Sequence, residues 1–584
     1  MKKFLLGILC GFLFAGVALV ILAFAAVRMA SKSVPEPPNE SLMVLRLDGD
    51  VEEAPADEIP IPWLEQQSSW SILEVKQVLE RASKDSKIKG LLFIPGRSTM
   101  GWAKSEEVRA ALVDFKKSGK PLYAFLRSPS AKEYYTASAA DRVSMVDEDV
   151  LDLKGLRAER TYFKNTLDKL GVEVEVIHAG KFKDFGDMYT RTSMTPESKE
   201  SMSAILNGIF GILVKGIADG RKRSPQEIEA LMDEGPFLAK AALKNKLVDA
   251  LEFEETAIEE LAKKANVSSK NRSSARDFKR AVRVRWERPA ENQIAFFVAQ
   301  GDIIRGSVAG GLGGESMIAS RDFIKQVQNL KNDTNYKAVL LRIDSPGGDA
   351  IASDELLGAL KELSKSKPVV ISMSDVAASG GYYMAVTGDP ILAYPGTITG
   401  SIGVVFGKPN LKGLYDKIGL TKDGLQRGKN ADIDSEYKPM SEAARKKLTE
   451  GIDESYKTFV SKVAEGRKLK VEEVESLAQG RAWVASDPGA KSLTDELGGI
   501  NAALALLKKK AKFADDAKVQ LVPYPAPEGA FSKWFGEAKV TSAAIGAVFS
   551  FQKPALADEI QRALRPALRQ GGMLRWMPYT IEVK

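Results

Sequence analysis

Val369-Val370-Ile371-Ser372-Met373-Ser374-Asp375-Val376-Ala377-Ala378-Ser379-Gly380-Gly381-Tyr382-Tyr383 is the stretch whose reading decides the fold. Apolar branched residues from Val369 to Met373 predict a buried strand, and Tyr382 to Thr387 read as a helix. Between them, small residues crowd one serine where strand gives way to helix. Such a turn exposes a hydroxyl, lets another backbone approach, and aims N–H groups at one point. This is the logic of a nucleophile elbow without the G-x-S-x-G spacing. The same residues suit a plain helix start packed on a neighbouring strand, and on this stretch alone both readings stand.

Working outward, the stretch has a counterpart. When the chain is slid by 248 residues, Gly90-Leu91-Leu92-Phe93 falls on Ala338-Val339-Leu340-Leu341, and Ser105-Glu106-Glu107-Val108 on Ser353-Asp354-Glu355-Leu356. Tyr134-Tyr135 falls on Tyr382-Tyr383, Asp141 on Asp389, and Gly155 on Gly403. With a two-residue slip, Gly220-Arg221-Lys222 falls on Gly466-Arg467-Lys468. One register held this far marks an internal repeat. Each half alternates apolar strands with amphipathic helices, as in the strand Ala338–Asp344 and a helix Ser353–Lys365 with Ser353 as N-cap. Such alternation predicts parallel sheets with right-handed crossovers, an α/β fold.

The register also shows what each half lacks. Ser379 falls on Ala131, Gly380 on Lys132, Pro346-Gly347-Gly348 on Ser98-Thr99-Met100, and Ser401 on Leu153, whereas Lys183 falls on Ala431. A site built from Ser379 in one half and Lys183 in the other accounts for both losses.

Rare residues narrow the chemistry. The chain of 584 residues has one Cys, Cys10, and one His, His178. Disulfides within the chain and a His/Cys metal cluster are excluded, and no metal or cofactor is expected. His178 follows the apolar strand Val174–Ile177 and reads as structural. The net charge of +7 is small for this length and spread out, so no nucleic-acid partner is expected. A serine nucleophile then needs a lysine base, which must be neutral to accept a proton. Lys181 and Lys183 would face the same way on a strand, and the chemistry does not choose between them. Ser401, in Thr399-Gly400-Ser401-Ile402-Gly403, suits orienting the amine. The glycine turn Asp344-Ser345-Pro346-Gly347-Gly348 leaves N–H groups to face a ligand, so Gly348 with Gly380 suits an oxyanion hole.

Phe4 to Val27 is an apolar run of about 24 residues between Lys2-Lys3 and Arg28. At about 1.5 Å per residue it spans a bilayer as a helix, and it exceeds the usual core of a cleaved signal peptide. Ser33 to Ser41 reads as a linker. In the tail, Ala555 to Leu568 suggests an amphipathic helix, and Phe531–Phe535 and Leu574–Tyr579 are aromatic. Gly310-Gly311-Leu312-Gly313-Gly314 lacks the spacing of a phosphate loop or dinucleotide fingerprint and reads as a loop.

Taken together, Asp344-Ser345-Pro346-Gly347-Gly348, Ala377-Ala378-Ser379-Gly380-Gly381-Tyr382, Thr399-Gly400-Ser401-Ile402-Gly403 and Gly180-Lys181-Phe182-Lys183 resemble the long-form signal peptide peptidase A (protease IV) family of bacteria. The tandem layout and the N-terminal anchor match as well. The resemblance implies two tandem Clp-protease/crotonase-like domains behind one transmembrane helix. It implies a Ser/Lys dyad, with Ser379 as nucleophile, Lys183 as base, Ser401 holding the amine, and Gly380 and Gly348 forming the oxyanion hole. It also implies a homotetramer in the bacterial inner membrane, single-pass and facing the periplasm, that degrades hydrophobic signal peptides already cut from secreted proteins. The family has a small residue after the lysine; here Asp184 stands there, and in an extended segment it points away. The layout expected is an anchor at 1–32, a linker at 33–44, a lysine-supplying repeat at 45–263, a join at 264–292, a serine-supplying repeat at 293–518 and an extension at 519–584. A crotonase-like acyl-CoA enzyme and a catalytically silent membrane scaffold are the alternatives weighed against it.

Overall fold

The computed structural model describes residues 39–55, 69–284, 292–307, 317–514, 516–526 and 574–576. The apolar run Phe4–Val27, the glycine run Gly310–Gly314, Phe531–Phe535 and the segment Ala555–Leu568 lie outside them.

The apolar stretch at Val369 forms a strand that continues to Ala378, and the helix after it runs Gly380–Ala385. The strand belongs to a sheet in which Val519–Tyr524, Asn292–Gln300, Tyr336–Ser345 and Val369–Ala378 lie side by side, all parallel. Ile391–Ala393 and Ile398–Gly400 extend it, also parallel. The first half builds a parallel sheet of its own, ordered Ala250–Leu251, Arg142–Met145, Leu122–Leu126, Ile88–Ser98, Ser41–Gly49 and Arg272–Ser274. The central strands are near-continuous apolar runs because parallel sheets are covered on both faces. Successive side chains then enter different cores. Phe296, Leu340 and Val370 share one cluster with Leu91, Phe93 and Phe115 of the first half, while Phe297, Leu341 and Ile371 enter another. Each such buried side chain contributes roughly 1.5–3 kcal/mol of burial, so the shared cluster holds the halves together.

The repeat recurs in the contacts as well as the residues. Tyr134 Oη donates to the Leu247 carbonyl at 2.5 Å, and Tyr382 Oη to that of Leu493 at 2.9 Å. Arg221 pairs with Asp249, and Arg467 with Asp495. The helices Pro196–Arg221 and Glu442–Arg467 are both capped at their starts by a hydroxyl, from Thr195 and Ser441. By length and composition Pro196–Arg221 could cross a membrane. Instead it is a core helix, with Ile205, Ile209, Leu213 and Ile217 buried.

A third sheet joins the halves. Its order is Met317–Ala319, Asp302–Ile304, Gly347–Asp349, Leu574–Trp576, Val404–Asn410 and Glu173–Ala179. Glu173–Ala179, from the first half, runs antiparallel to Val404–Asn410, with Ala179 opposite Val404.

Several boundaries differ from those expected. Ser353 is not an N-cap: the helix spans Ala350–Ser366, because the Asp349 carboxylate accepts from the N–H groups of Ile351 and Ala352. Arg272–Ser274, inside the expected join, pairs with Leu42–Val44 at the end of the expected linker. Val519–Tyr524, at the start of the expected extension, pairs with the second sheet. In each case a short segment gains backbone partners that composition does not reveal.

Candidate active site

Ser379 sits between the strand Val369–Ala378 and the helix Gly380–Ala385, at φ 53° and ψ −116°. A positive φ in a residue with a side chain costs about 1–3 kcal/mol and needs support from its surroundings. Here the Ser379 N–H donates to the Gly400 carbonyl at 2.8 Å, and its carbonyl accepts from Tyr383 N–H at 2.8 Å. Its hydroxyl makes no cap to its own helix. Gly381 permits the close packing, since a Cβ there would lie 2.5 Å from the Ser345 carbonyl oxygen.

The lysine arrives from the other half. The antiparallel pair ends with Ala179 opposite Val404, so the loop Gly180–Asp184 leaves beside Ser401–Gly403. Lys183 Nζ lies 2.9 Å from Ser379 Oγ, 2.9 Å from Ser401 Oγ and 3.0 Å from the Ser401 carbonyl oxygen. All three residues are 0% exposed. A Cβ on Gly480 would meet the Lys183 Cβ at 2.5 Å, and one on Gly403 its Cδ at 3.0 Å, so glycines form the slot for the lysine stem.

The structure separates the two lysines that the sequence left open. Lys181 is exposed and lies over the Phe182 ring at 5.0 Å. The loop is a turn rather than a strand, with Lys183 N–H donating to Gly180 O at 3.1 Å, so the two side chains do not share a face. His178 is exposed, and its Nδ1 donates to Gly180 O at 3.0 Å.

The Asp184 carboxylate is held by an ion pair, in a turn rather than an extended segment. Arg160 Nη1 donates to its carboxylate at 2.5 Å and Arg160 Nη2 to its carbonyl at 2.6 Å. The Ser198 hydroxyl, near the start of helix Pro196–Arg221, bonds the same carboxylate. Asp184 and Arg160 are both almost fully buried. Sequence reasoning missed Arg160 and Ser198. The signal available was the register, which lays Arg160 on Lys408 and Asp184 on Asp432, a cation and a carboxylate in both halves.

The candidate oxyanion donors lie on two neighbouring elements. Gly380 is the first residue of the serine helix. Gly348 has φ 156° in the short strand Gly347–Asp349, and a Cβ there would sit 2.0 Å from the Ile303 carbonyl oxygen. Beside this strand, antiparallel to it, runs Leu574–Trp576, with Arg575 opposite Gly348 and Leu574 opposite Val405.

This is an α/β enzyme and a serine protease, built from two tandem repeats of one strand–helix plan. It belongs to peptidase family S49, whose pattern matches residues 114–268 and again 361–514, once in each half. Serine protease SPPA, chloroplastic, of Arabidopsis thaliana is 32% identical over 467 residues, covering 79% of this chain and 68% of that one. Protease 4 of Salmonella typhi is 30% identical over 454 residues, covering 76% and 72%. Protease 4 of Haemophilus influenzae is 29% identical over 540 residues, covering 87% and 85%.

Proposed function

We propose that this protease is a Ser/Lys-dyad endopeptidase that degrades signal peptides released from secreted proteins. The carrying observation is the 2.9 Å approach of Lys183 Nζ to Ser379 Oγ in full burial. In this reading Lys183 takes the Ser379 hydroxyl proton as Oγ attacks the scissile carbonyl. The N–H groups of Gly380 and Gly348 receive the developing oxyanion, where one such donor is worth about 3 kcal/mol. The lysine passes its proton to the leaving amine, and an acyl-enzyme remains on Ser379. A water, deprotonated by the same amine, then attacks the ester and frees the acid.

The amine must enter the cycle uncharged. Burial disfavours the charged form, the hydroxyls of Ser379 and Ser401 hydrogen-bond a neutral amine, and Arg160 engages the nearby Asp184 carboxylate. Activity accordingly rises with pH as the lysine loses its proton. Peptide substrates lie as an added strand in the slot beside Gly347–Asp349, since Leu574–Trp576 is accommodated there through backbone pairing. Such a slot reads extended chains and suits peptides without fold of their own.

Anchoring by Phe4–Val27 in the bacterial inner membrane, with the catalytic part in the periplasm, brings the site to where released signal peptides lie. A homotetramer belongs to the same reading and rests on the family resemblance.

Mass-spectrometric mapping of a serine-directed phosphonate, on wild type and on Lys183→Ala, tests the chemistry. An adduct on Ser379 that forms at least about a hundredfold more slowly in the variant is expected. Equal labelling in both proteins would remove Lys183 from the mechanism.

A further inference from the structure

A second lysine of the first half reaches the second half beside the active site. Lys104 lies near the start of the helix Trp102–Lys116, and its side chain is 7% exposed. Lys104 Nζ is 3.0 Å from Asp344 Oδ2, 3.7 Å from Glu53 Oε1 and 3.8 Å from Asp375 Oδ2. The Asp375 carboxylate also caps that helix from across the interface, accepting from Gly101 N–H and Lys104 N–H at 2.9 Å each. The helix has no side-chain cap from its own N-cap residue, Gly101. Asp344 in turn accepts from Val376 N–H at 3.1 Å, tying the two second-half strands together. Arg342, 0% exposed, completes the cluster by pairing with Glu53 at 2.8 Å.

Both carboxylates stand where the oxyanion arms begin. Asp344 opens Asp344-Ser345-Pro346-Gly347-Gly348, and Asp375 opens Asp375-Val376-Ala377-Ala378-Ser379-Gly380. Two partly buried carboxylates that share one amine repel one another. Burial and the neighbouring Asp375 push the Asp344 carboxyl up to about 6, although Lys104 pulls it down. Burial opposes the charge on Lys104, yet Asp344, Glu53 and Asp375 raise its pKa above the ordinary lysine range.

The register repeats the pattern of loss seen for Lys183 and Ser379. Lys104 falls on Ala352, Asp344 on Gly96 and Asp375 on Arg127. The lysine stands only in the first half, and Asp344 and Asp375 only in the second, so the cluster exists once per chain, at the half that carries the serine.

We propose that Lys104 is a positioning residue for catalysis: as the shared counter-charge of Asp344 and Asp375, it holds the strand ends carrying Gly348 and Ser379–Gly380 at one spacing. This rests on the Ser379-centred reading above. Lys104 touches neither substrate nor dyad. It acts on the oxyanion geometry, which matters in the transition state more than in substrate binding.

The test uses the full chain and a fluorogenic hydrophobic peptide, with kcat, KM and thermal unfolding measured on each variant. Lys104→Met is expected to lower kcat at least tenfold with KM within about twofold. Because Lys104→Met leaves two partly buried carboxylates uncompensated and can fail to fold, the deciding variant is Lys104→Met/Asp344→Asn. It removes one charge of each sign and keeps Asp375 as the helix cap. Expected is a Tm close to wild type with kcat still at least about fivefold down. A double variant whose kcat returns to within twofold of wild type would overturn the proposal, because Lys104 would then only neutralise buried charge. So would a loss confined to KM. Ser379→Ala in parallel separates the two claims: an active Ser379→Ala protein sinks the dyad reading itself, and with an inactive one the double variant alone decides the role of Lys104.

Discussion

The helix Gly380–Ala385 begins at a serine with φ 53° that makes no side-chain cap, and the helix Ala131–Ala137 begins at Ser130, an extended N-cap with φ −79° and ψ 176°. The Ser130 hydroxyl accepts from Lys132 N–H, and Ser130 and Glu133 form a capping box. At Ser379 the hydroxyl is withheld from its helix and meets the lysine instead. A missing cap costs about 1 kcal/mol, so the proposed site keeps a small local instability that the matching helix start of the first half lacks. The candidate oxyanion position differs in the same sense. Lys132, on which Gly380 falls, donates from Nζ to the Met100 carbonyl at 2.5 Å, and Met100 is the residue on which Gly348 falls. In the first half a side chain bridges the two positions whose counterparts in the second half are glycines. On the proposed reading, a shared backbone plan carries chemistry in the half where its polar groups are left unsatisfied locally and aimed at one point.

The largest test of this contrast is on the two helix starts. Ser379→Ala and Lys183→Ala are each expected to lower kcat/KM for peptide cleavage by at least about 10³-fold, and the double variant to lose little more. Ser130→Ala is expected to leave kcat/KM within about twofold while costing about 1 kcal/mol of stability. Comparable activity losses from Ser130→Ala would mean that the first half has a working site of its own.

The clamp behind the lysine gives the next effect. Arg160→Met leaves Asp184 buried without its counter-charge, and breaking a buried pair costs about 3–5 kcal/mol. A fall in Tm together with a tenfold or larger fall in kcat is the expected result. A lower Tm with unchanged kcat would show that the Phe182 N–H bond to the Gln479 carbonyl, at 2.8 Å, and the packing on Gly480 suffice to hold Lys183.

A smaller effect is expected at the slot. Proline at Arg575 removes a backbone donor opposite Gly348 and weakens the pairing of Leu574–Trp576. Arg575→Pro should raise kcat/KM for a short peptide about two- to fivefold by relieving competition for the added-strand position. Unchanged steady-state kinetics would separate that segment from the substrate path.

The smallest effect lies in the helix Trp102–Lys116. In the second half the counterpart of Glu106 is Asp354, which accepts from Tyr383 Oη at 2.5 Å within its own half. Glu106 instead reaches across and accepts from Gly396 N–H at 2.8 Å. Burial pushes its carboxyl up to about 8, with Asp375 and Glu107 adding to the shift against the Gly396 hydrogen bond. The folded state thus keeps a proton that the unfolded chain releases near the ordinary value of 4.5. Stability from this group is present at low pH and declines as pH rises through that interval. Glu106→Gln keeps the acceptor and removes the titration. Its Tm should gain on wild type by at least about 2 °C between pH 5.5 and pH 8.5, and a constant difference would show that the buried carboxyl does not titrate in that interval.

Much of the site was legible without coordinates because its parts are local. The strand–serine–helix turn, the glycine turn at Gly347-Gly348 and the Ser401 turn each declare themselves within a few residues, where small side chains and branched runs fix the backbone. The complementary losses then paired Ser379 with a lysine of the other half. The Lys104 cluster and the Arg160–Asp184–Ser198 clamp were not legible. Their members are ordinary charged or polar residues whose meaning comes from burial against distant partners, and Asp375 capping a helix of the other half has no signature in either segment.

By itself, the sequence determined the twofold repeat, the alternation of strands and helices, and the serine turn, all of which follow from periodicity and steric rules acting over short spans. Only the tertiary structure decided between Lys181 and Lys183. The two lysines are chemically alike and two residues apart, and what separates them is the antiparallel pairing of Glu173–Ala179 with Val404–Asn410. That pairing buries one amine against Ser379 and Ser401 and leaves the other over the Phe182 ring. It brings together Lys183 and Ser379, 196 apart in the chain, and at that separation the outcome depends on how two whole sheets pack.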